Sequence, residues 1–275
     1  PDVEGQLSVN RIAVIARNKY VFSHLEKELS NRNILFSFKK SSTGIDNESD
    51  YMKVFELAIR ILINKKDYIH LTQLQKAVEY SDNITNSQDG ITILKEVLTK
   101  TAYKSMIPAL EALCKEVLNF NVALNYLDNI LSSFDDDERY LISMDIKQWR
   151  KHWNKYCMLV PRENRTLTSF RNQISLGKTK ETEDNNGIAL LTAHMSKGLQ
   201  FDVVFIIGLS EGTFPDYRAV KSNGSQLSQE KNNMYVAVTR AKRLCYMTYP
   251  AKKLMPWGDI KYQSPSRYIK DIVTE

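Results

Sequence analysis

Two short stretches of the chain contain no polar residue: Ile12-Ala-Val-Ile-Ala16 near one end and Val203-Val-Phe-Ile-Ile207 near the other. A strand with one wet face alternates apolar and polar residues, whereas a strand buried on both faces is apolar throughout. Both runs therefore belong inside a sheet covered on both sides, and such sheets are parallel and flanked by helices. After Ile12–Ala16, the polar Arg17-Asn18-Lys19 turn leads to Phe22, Leu25 and Leu29 at helical spacing, then to a second strand over Ile34–Phe38. Strand, helix, strand within about 30 residues is a βαβ unit, which predicts that these two strands pair in parallel.

The middle of the chain has a different character. Val54, Leu57, Ala58, Ile61 and Leu62 form a helical stripe, and helical periods continue through Leu71–Val78, Ile91–Leu98 and Ile107–Leu124. Tyr140–Trp153 adds an amphipathic segment with Trp149 and Trp153 one helical turn apart. The polar stretch Thr179–Gly187 reads as a linker out of this block. Strand-like sequence resumes in Ile188–Ala193, Val203–Leu209 and Leu244–Tyr249, with a helix-compatible segment over Gln229–Lys242. The fold class this predicts is α/β: one parallel-sheet lobe, 1–45 joined to 187–275, interrupted by an all-helical insertion, 46–186.

Charge follows the same division. The net charge is +6, yet residues 46–186 carry 19 Lys/Arg against 21 Asp/Glu. Residues 1–45 carry seven against four, and residues 187–275 twelve against seven. A polyanionic partner would therefore meet the two ends of the chain. No apolar run approaches the roughly 20 residues of a membrane span, so no membrane partner is expected. Cys114, Cys157 and Cys245 are too scattered for a disulfide framework or a metal cluster, which points to a reducing, cytoplasmic setting and no metal site. A chain that opens on Pro1 instead of Met reads as an excised segment.

The most specific signal is Thr192-Ala-His-Met-Ser-Lys-Gly-Leu-Gln-Phe201, followed by Tyr235-Val-Ala-Val-Thr-Arg-Ala241. The first is a polar Lys-Gly loop feeding a buried strand; the second sets Arg240 at the polar end of an apolar, helix-length segment. Together they resemble motifs V (T-x-H-x-x-K-G-L-E-F) and VI (Y-V-A-x-T-R-A) of the UvrD/Rep/PcrA class of superfamily 1 DNA helicases. Ile12–Asn18 is similar to the motif IV of that class. The resemblance implies a RecA-like lobe that closes on ATP and Mg²⁺ held by an N-terminal lobe in cis. Arg240 and Arg17 would then be catalytic, stabilising charge on the transferring phosphoryl group. It further implies that Lys197, Gly198 and Gln200 bind nucleotide, Gly198 by allowing close backbone approach. Thr192, His194 and Ser196 would contact phosphates of single-stranded or tailed duplex DNA. Proteins of a DNA-repair complex are the further partners implied.

Other apparent motifs carry no such chemistry. Gly177-Lys178-Thr179 resembles the end of a phosphate-binding loop, but that loop needs glycine where Asn172 stands, and no strand precedes it. Asp135-Asp-Asp-Glu138 reads as a solvated helix start. The chain alone is therefore expected to lack ATPase activity. Lys231-Asn232-Asn233 replaces a more strongly charged run before motif VI, and two single positions also depart from the family pattern: Gln200 replaces a glutamate, and Ala16 stands where an aromatic stacks on the adenine. They sustain an alternative, a non-catalytic lobe that serves as a DNA- or protein-binding scaffold in a repair complex.

Overall fold

The computed structural model describes residues 8–38, 45–82, 84, 89–179, 187–222 and 224–273. The chain divides into two compact units, 1–40 with 182–275 and 41–181. The stretch expected to act as a linker, 179–187, lies mostly outside the described residues.

The first unit is built on β1 (Ile12–Ala16), α1 (Ser23–Asn31) and β2 (Phe36–Phe38). The helical unit contributes the next seven helices: α2 (Asp50–Ile63), α3 (Tyr68–Ala77), α4 (Gly90–Thr99), α5 (Ile107–Leu113), α6 (Phe120–Asn129), α7 (Asp136–Leu159) and α8 (Leu167–Ser175). The chain then returns to the first unit with β3 (Ile188–Thr192), β4 (Phe201–Ile206), α9 (Tyr217–Ser222), α10 (Ser225–Val238) and β5 (Ala241–Met247). A hairpin of β6 (Lys252–Leu254) and β7 (Ile260–Tyr262) precedes α11 (Arg267–Val273).

The sheet order is β2-β3-β1-β4-β5, and every pairing is parallel. This corrects one expectation: β1 and β2 do not pair with each other. The crossover through α1 leaves a gap one strand wide, and β3 fills it, with Ala13 opposite Ala189 and Phe36 opposite Ile188. Both faces of β1 are buried, as its unbroken apolar run requires. Ala13 and Ile15 pack with Leu191, Val204 and Ile206 against Met234 and Ala237 of α10. Val14 and Ala16 pack on the other face with Leu190, Phe22 and Leu29.

No strand occurs among the described residues of the helical unit. Its core gathers around Phe120, which stacks on Trp149 at 5.3 Å and meets Phe170 edge-on at 5.0 Å. The helical period over Ile107–Leu124 is carried by two helices, α5 and the start of α6. The chain breaks after Leu113, and Asn119 restarts it by accepting the Asn121 N–H. Where the chain enters the unit, the buried Asp145 carboxylate accepts Glu48 N–H at 3.1 Å, Ser49 N–H at 2.8 Å and Ser49 O–H at 2.7 Å. Ser49 in turn caps α2 by accepting the Met52 N–H. Asp135 likewise caps α7, so the acidic run is a helix start.

Candidate functional site

In an open parallel sheet, ligands bind beyond the carboxyl ends of the strands, where neighbouring chains leave in opposite directions. Here that point lies between β1 and β4: the chain leaves β1 toward β2 and leaves β4 toward β5. Arg17 is the first residue after β1, and the segment Thr192–Gln200 follows β3 next to it. The two exits are tied by Ala193 N–H donating to the Ala16 carbonyl at 2.9 Å.

The Arg17 guanidinium donates through Nε to both oxygens of Glu230 on α10, at 2.7 and 2.8 Å. Glu230 is buried, and its carboxylate also accepts Asp216 N–H at 3.1 Å and Asn233 Nδ2 at 3.3 Å. Asp216 is buried too and is gripped at both oxygens by Arg218, at 2.9 and 3.0 Å. Burial alone would raise the Asp216 carboxyl. The Arg218 hydrogen bonds and the charges of Arg218 and Arg17 outweigh that, holding it below its ordinary value. Sequence patterns give no sign of this cluster, because its polar residues come from three segments far apart in the chain.

Arg240 lies in the turn between α10 and β5 and is partly buried. Its Nε donates to the Val236 carbonyl, Nη2 to Thr239 Oγ1 and Nη1 to the Leu199 carbonyl, each at 2.9 Å. Phe201 N–H donates back to the Arg240 carbonyl at 2.9 Å. Two of the five guanidinium N–H groups have no acceptor among the described residues. That is the donor set an anion would use.

The 192–200 loop is a compact coil of backbone turns. Ser196 N–H bonds the Thr192 carbonyl, and Leu199 N–H bonds the Ser196 carbonyl, both at 3.1 Å. Thr192 is half-buried, and its Oγ1 faces the Met195 N–H at 3.4 Å. His194, Lys197, Gly198 and Gln200 are exposed. Ser196 departs from its expected role, because it is fully buried and its hydroxyl donates to the Ala193 carbonyl at 2.7 Å. It shapes the loop and offers nothing to a DNA phosphate. At Gly198 φ is +83°, a conformation that favours glycine, and a Cβ there would meet no atom of the chain. Ala16 is fully buried in the core beside Phe22 and Leu190, so it does not face the surface where an aromatic could stack on a base.

A second exposed surface went unread in the sequence. On one face of the β6–β7 hairpin, Lys252, Leu254, Ile260 and Tyr262 are all exposed, and the Lys252 ammonium sits 5.3 Å from the Tyr262 ring centroid. Interleaved basic and aromatic residues could have signalled it, but the Pro256-Trp257-Gly258 turn obscures the strand pattern.

Among the described residues, no group of three or more His, Cys, Asp or Glu could hold a metal ion. The α/β unit is a RecA-like lobe, with Arg17 beyond the carboxyl end of β1 and Arg240 just before the amino end of β5. The sequence profile of the UvrD-like helicase C-terminal domain matches residues 39–252. The chain belongs to that family. The matched stretch takes in the helical unit and β3 to β5, and leaves Arg17 and most of the hairpin outside it. Among relatives, the chain is 31% identical over 182 residues to the ATP-dependent DNA helicase PcrA of Staphylococcus aureus (strain MRSA252), covering 66% of this chain and 22% of that protein. It is 30% identical over 199 residues to PcrA of Staphylococcus epidermidis (strain ATCC 35984), covering 70% and 24%. The chain thus spans about a quarter of the length of the curated relatives it matches.

Proposed function

We propose that this chain is the second motor lobe, with its helical accessory insertion, of an ATP-dependent DNA helicase that works on single-stranded or tailed duplex DNA. The α/β unit is the lobe and the helical unit the insertion. ATP with Mg²⁺, held mainly by an N-terminal lobe, supplies phosphoryl transfer to water. Arg240 presents positive charge to the phosphoryl group, in a setting where such a guanidinium contributes on the order of 10³–10⁵ in rate. Arg17, at the opposite edge of the parallel sheet, does not share that group. Lys197, Gly198 and Gln200 line the nucleotide side of the loop, and Thr192 and His194 its DNA side. Proteins of a repair complex remain further proposed partners.

The observation that carries this reading is the bond from Arg240 Nη1 to the carbonyl of Leu199, near the end of the 192–200 loop. A residue that senses phosphate charge is joined directly to the loop that would hold DNA, so movement at one is transmitted to the other. The scaffold alternative loses part of its basis, since Ala16 is a core residue and its small size reports on packing.

The reading is tested by measuring DNA-stimulated ATP hydrolysis for this chain alone and for the full-length protein. The full-length protein should turn over and the chain alone should not. Robust hydrolysis by the isolated chain would refute the division of labour between lobes.

A further inference from the structure

We infer that Arg11 is a further nucleotide-binding residue: with Arg240 it flanks Gln200 at the amino edge of the sheet, and the buried Asp202 holds its guanidinium there. The inference rests on the reading of Arg240 as a phosphate-facing arginine.

The strand register defines that edge. Arg11 is the residue before β1, Phe201 opens β4, and Arg240 is the residue before β5. The three strands are parallel neighbours, with Ile12 opposite Val203 and Phe201 opposite Ala241. Their entries therefore lie together, at the edge opposite to Arg17. β4 runs between β1 and β5, so the backbones of Arg11 and Arg240 stand about 10 Å apart, two strand spacings. The segment between them is held from both sides. Arg240 Nη1 donates to the Leu199 carbonyl at 2.9 Å. Arg11 pairs with both oxygens of Asp202, Nη2 with Oδ1 and Nε with Oδ2, each at 2.8 Å. Gln200 lies between the two held residues and is exposed.

A carboxylate with a side chain only 6% exposed is costly to bury, and an apolar residue at position 202 would avoid that cost. What this carboxylate holds is a guanidinium whose side chain stays 57% exposed. Pairing at two points takes up one edge of the planar fork and fixes the direction of the rest. The remaining N–H groups of Arg11 have no acceptor among the described residues, as with those left on Arg240. A nucleoside triphosphate carries its charge along an extended chain, so it can meet two guanidinium groups at this separation. Arg240 takes the transferring phosphoryl group, and Arg11 the phosphates that ATP and ADP share. Asp202 already compensates the Arg11 charge, so the contact contributes through hydrogen bonds more than through net attraction, and its effect is modest.

The test uses the full-length protein and reads DNA-stimulated ATP hydrolysis and equilibrium binding of ADP, with thermal melting and single-stranded DNA affinity alongside. Arg11→Ala should raise KM for ATP and Kd for ADP about fivefold each, with kcat within about twofold of its original value. Arg11→Ala leaves Asp202 buried without its cation, so the double variant Arg11→Ala, Asp202→Asn is measured beside it. It should bind ADP as weakly as Arg11→Ala while melting at a higher temperature. Asp202→Asn alone keeps the arginine but loosens it, and should give a smaller rise in both constants. Unchanged ADP affinity in the Arg11 variants overturns the inference. So does weaker DNA binding with nucleotide binding intact, which would assign Arg11 to nucleic acid. If Arg240→Ala turns over ATP normally, the reading of the phosphate-facing edge falls. Loss of turnover in Arg240→Ala beside normal nucleotide binding in the Arg11 variants leaves that reading standing and removes Arg11 alone.

Discussion

Arg240 and Leu199 are joined side chain to backbone: the guanidinium Nη1 donates to the Leu199 carbonyl at 2.9 Å, and the next-but-one residue, Phe201, donates its N–H to the Arg240 carbonyl at the same distance. The turn after α10 is therefore hydrogen-bonded both to the end of the loop after β3 and to the first residue of β4.

Arg240→Ala in the full-length enzyme should abolish DNA-stimulated ATP hydrolysis, a loss of about 10³-fold or more. Arg240→Lys should recover little of it. An ammonium group keeps the charge but cannot span the Val236 carbonyl, Thr239 Oγ1 and the Leu199 carbonyl at once. Steady-state ATPase assays with and without single-stranded DNA decide this, and normal turnover by either variant removes Arg240 from the phosphate site.

The contrast between His194 and Ser196 gives a second prediction. His194 is exposed on the loop, whereas Ser196 is buried and bonded to Ala193. His194→Ala should weaken single-stranded DNA binding about fivefold, the loss of one polar contact, with no change in melting temperature. Ser196→Ala should do the reverse, costing about 1 kcal/mol of stability and leaving the affinity of the folded protein unchanged. Fluorescence anisotropy and thermal melts on both variants separate the roles. A DNA-binding defect in a fully stable Ser196→Ala protein would contradict the burial argument.

These two residues also show what the sequence can and cannot reveal. Periodicity is local, so the unbroken apolar runs gave the buried strands and the helical stripes gave the all-helical block. Strand order is not local: β3 enters between β1 and β2 only after the whole insertion has been traversed. The Arg17–Glu230 contact is hidden for the same reason. The burial of Ser196 is hidden too, because a short polar residue in a loop looks the same whether it meets a ligand or closes a turn. The Gly177-Lys178-Thr179 segment was correctly set aside. Gly177 is the left-handed residue that ends α8, with Lys178 N–H bonding the Gln173 carbonyl at 3.0 Å.

The Asp216 carboxyl predicts an acid-dependent loss of stability. Its folded pKa lies below the ordinary value of 3.8, because Arg218 and Arg17 together outweigh the cost of burial. A carboxyl depressed in the folded state contributes stability above its unfolded pKa, and that stability is lost as pH falls through the folded value. Unfolding followed between pH 6 and pH 2 should therefore show a contribution that fades below about pH 4. Asp216→Asn, which cannot titrate, should be less stable at neutral pH and have a shallower acid slope. An unchanged slope would show that Asp216 does not carry the effect.

The end of α3 offers a stabilising change. Glu79 has φ +56° and follows the helix, with Tyr80 N–H bonding the Gln75 carbonyl at 2.9 Å and Glu79 N–H bonding the Lys76 carbonyl at 3.4 Å. These are the two bonds that also end α8, where Gly177 occupies the equivalent left-handed position with φ +69°. An L-residue with a Cβ pays roughly 1 kcal/mol or more for that conformation, and glycine does not. Glycine loses more backbone entropy on folding, which returns part of the gain. The Glu79 side chain is exposed, so little packing is lost with it. Glu79→Gly should therefore raise stability by about 0.5–1 kcal/mol, a rise of a few degrees in the melting of the helical unit. The reciprocal Gly177→Glu should lower it by a similar amount. Calorimetry of the two variants tests the pair: destabilisation by Glu79→Gly would mean that the carboxylate makes a contact worth more than the strain it tolerates.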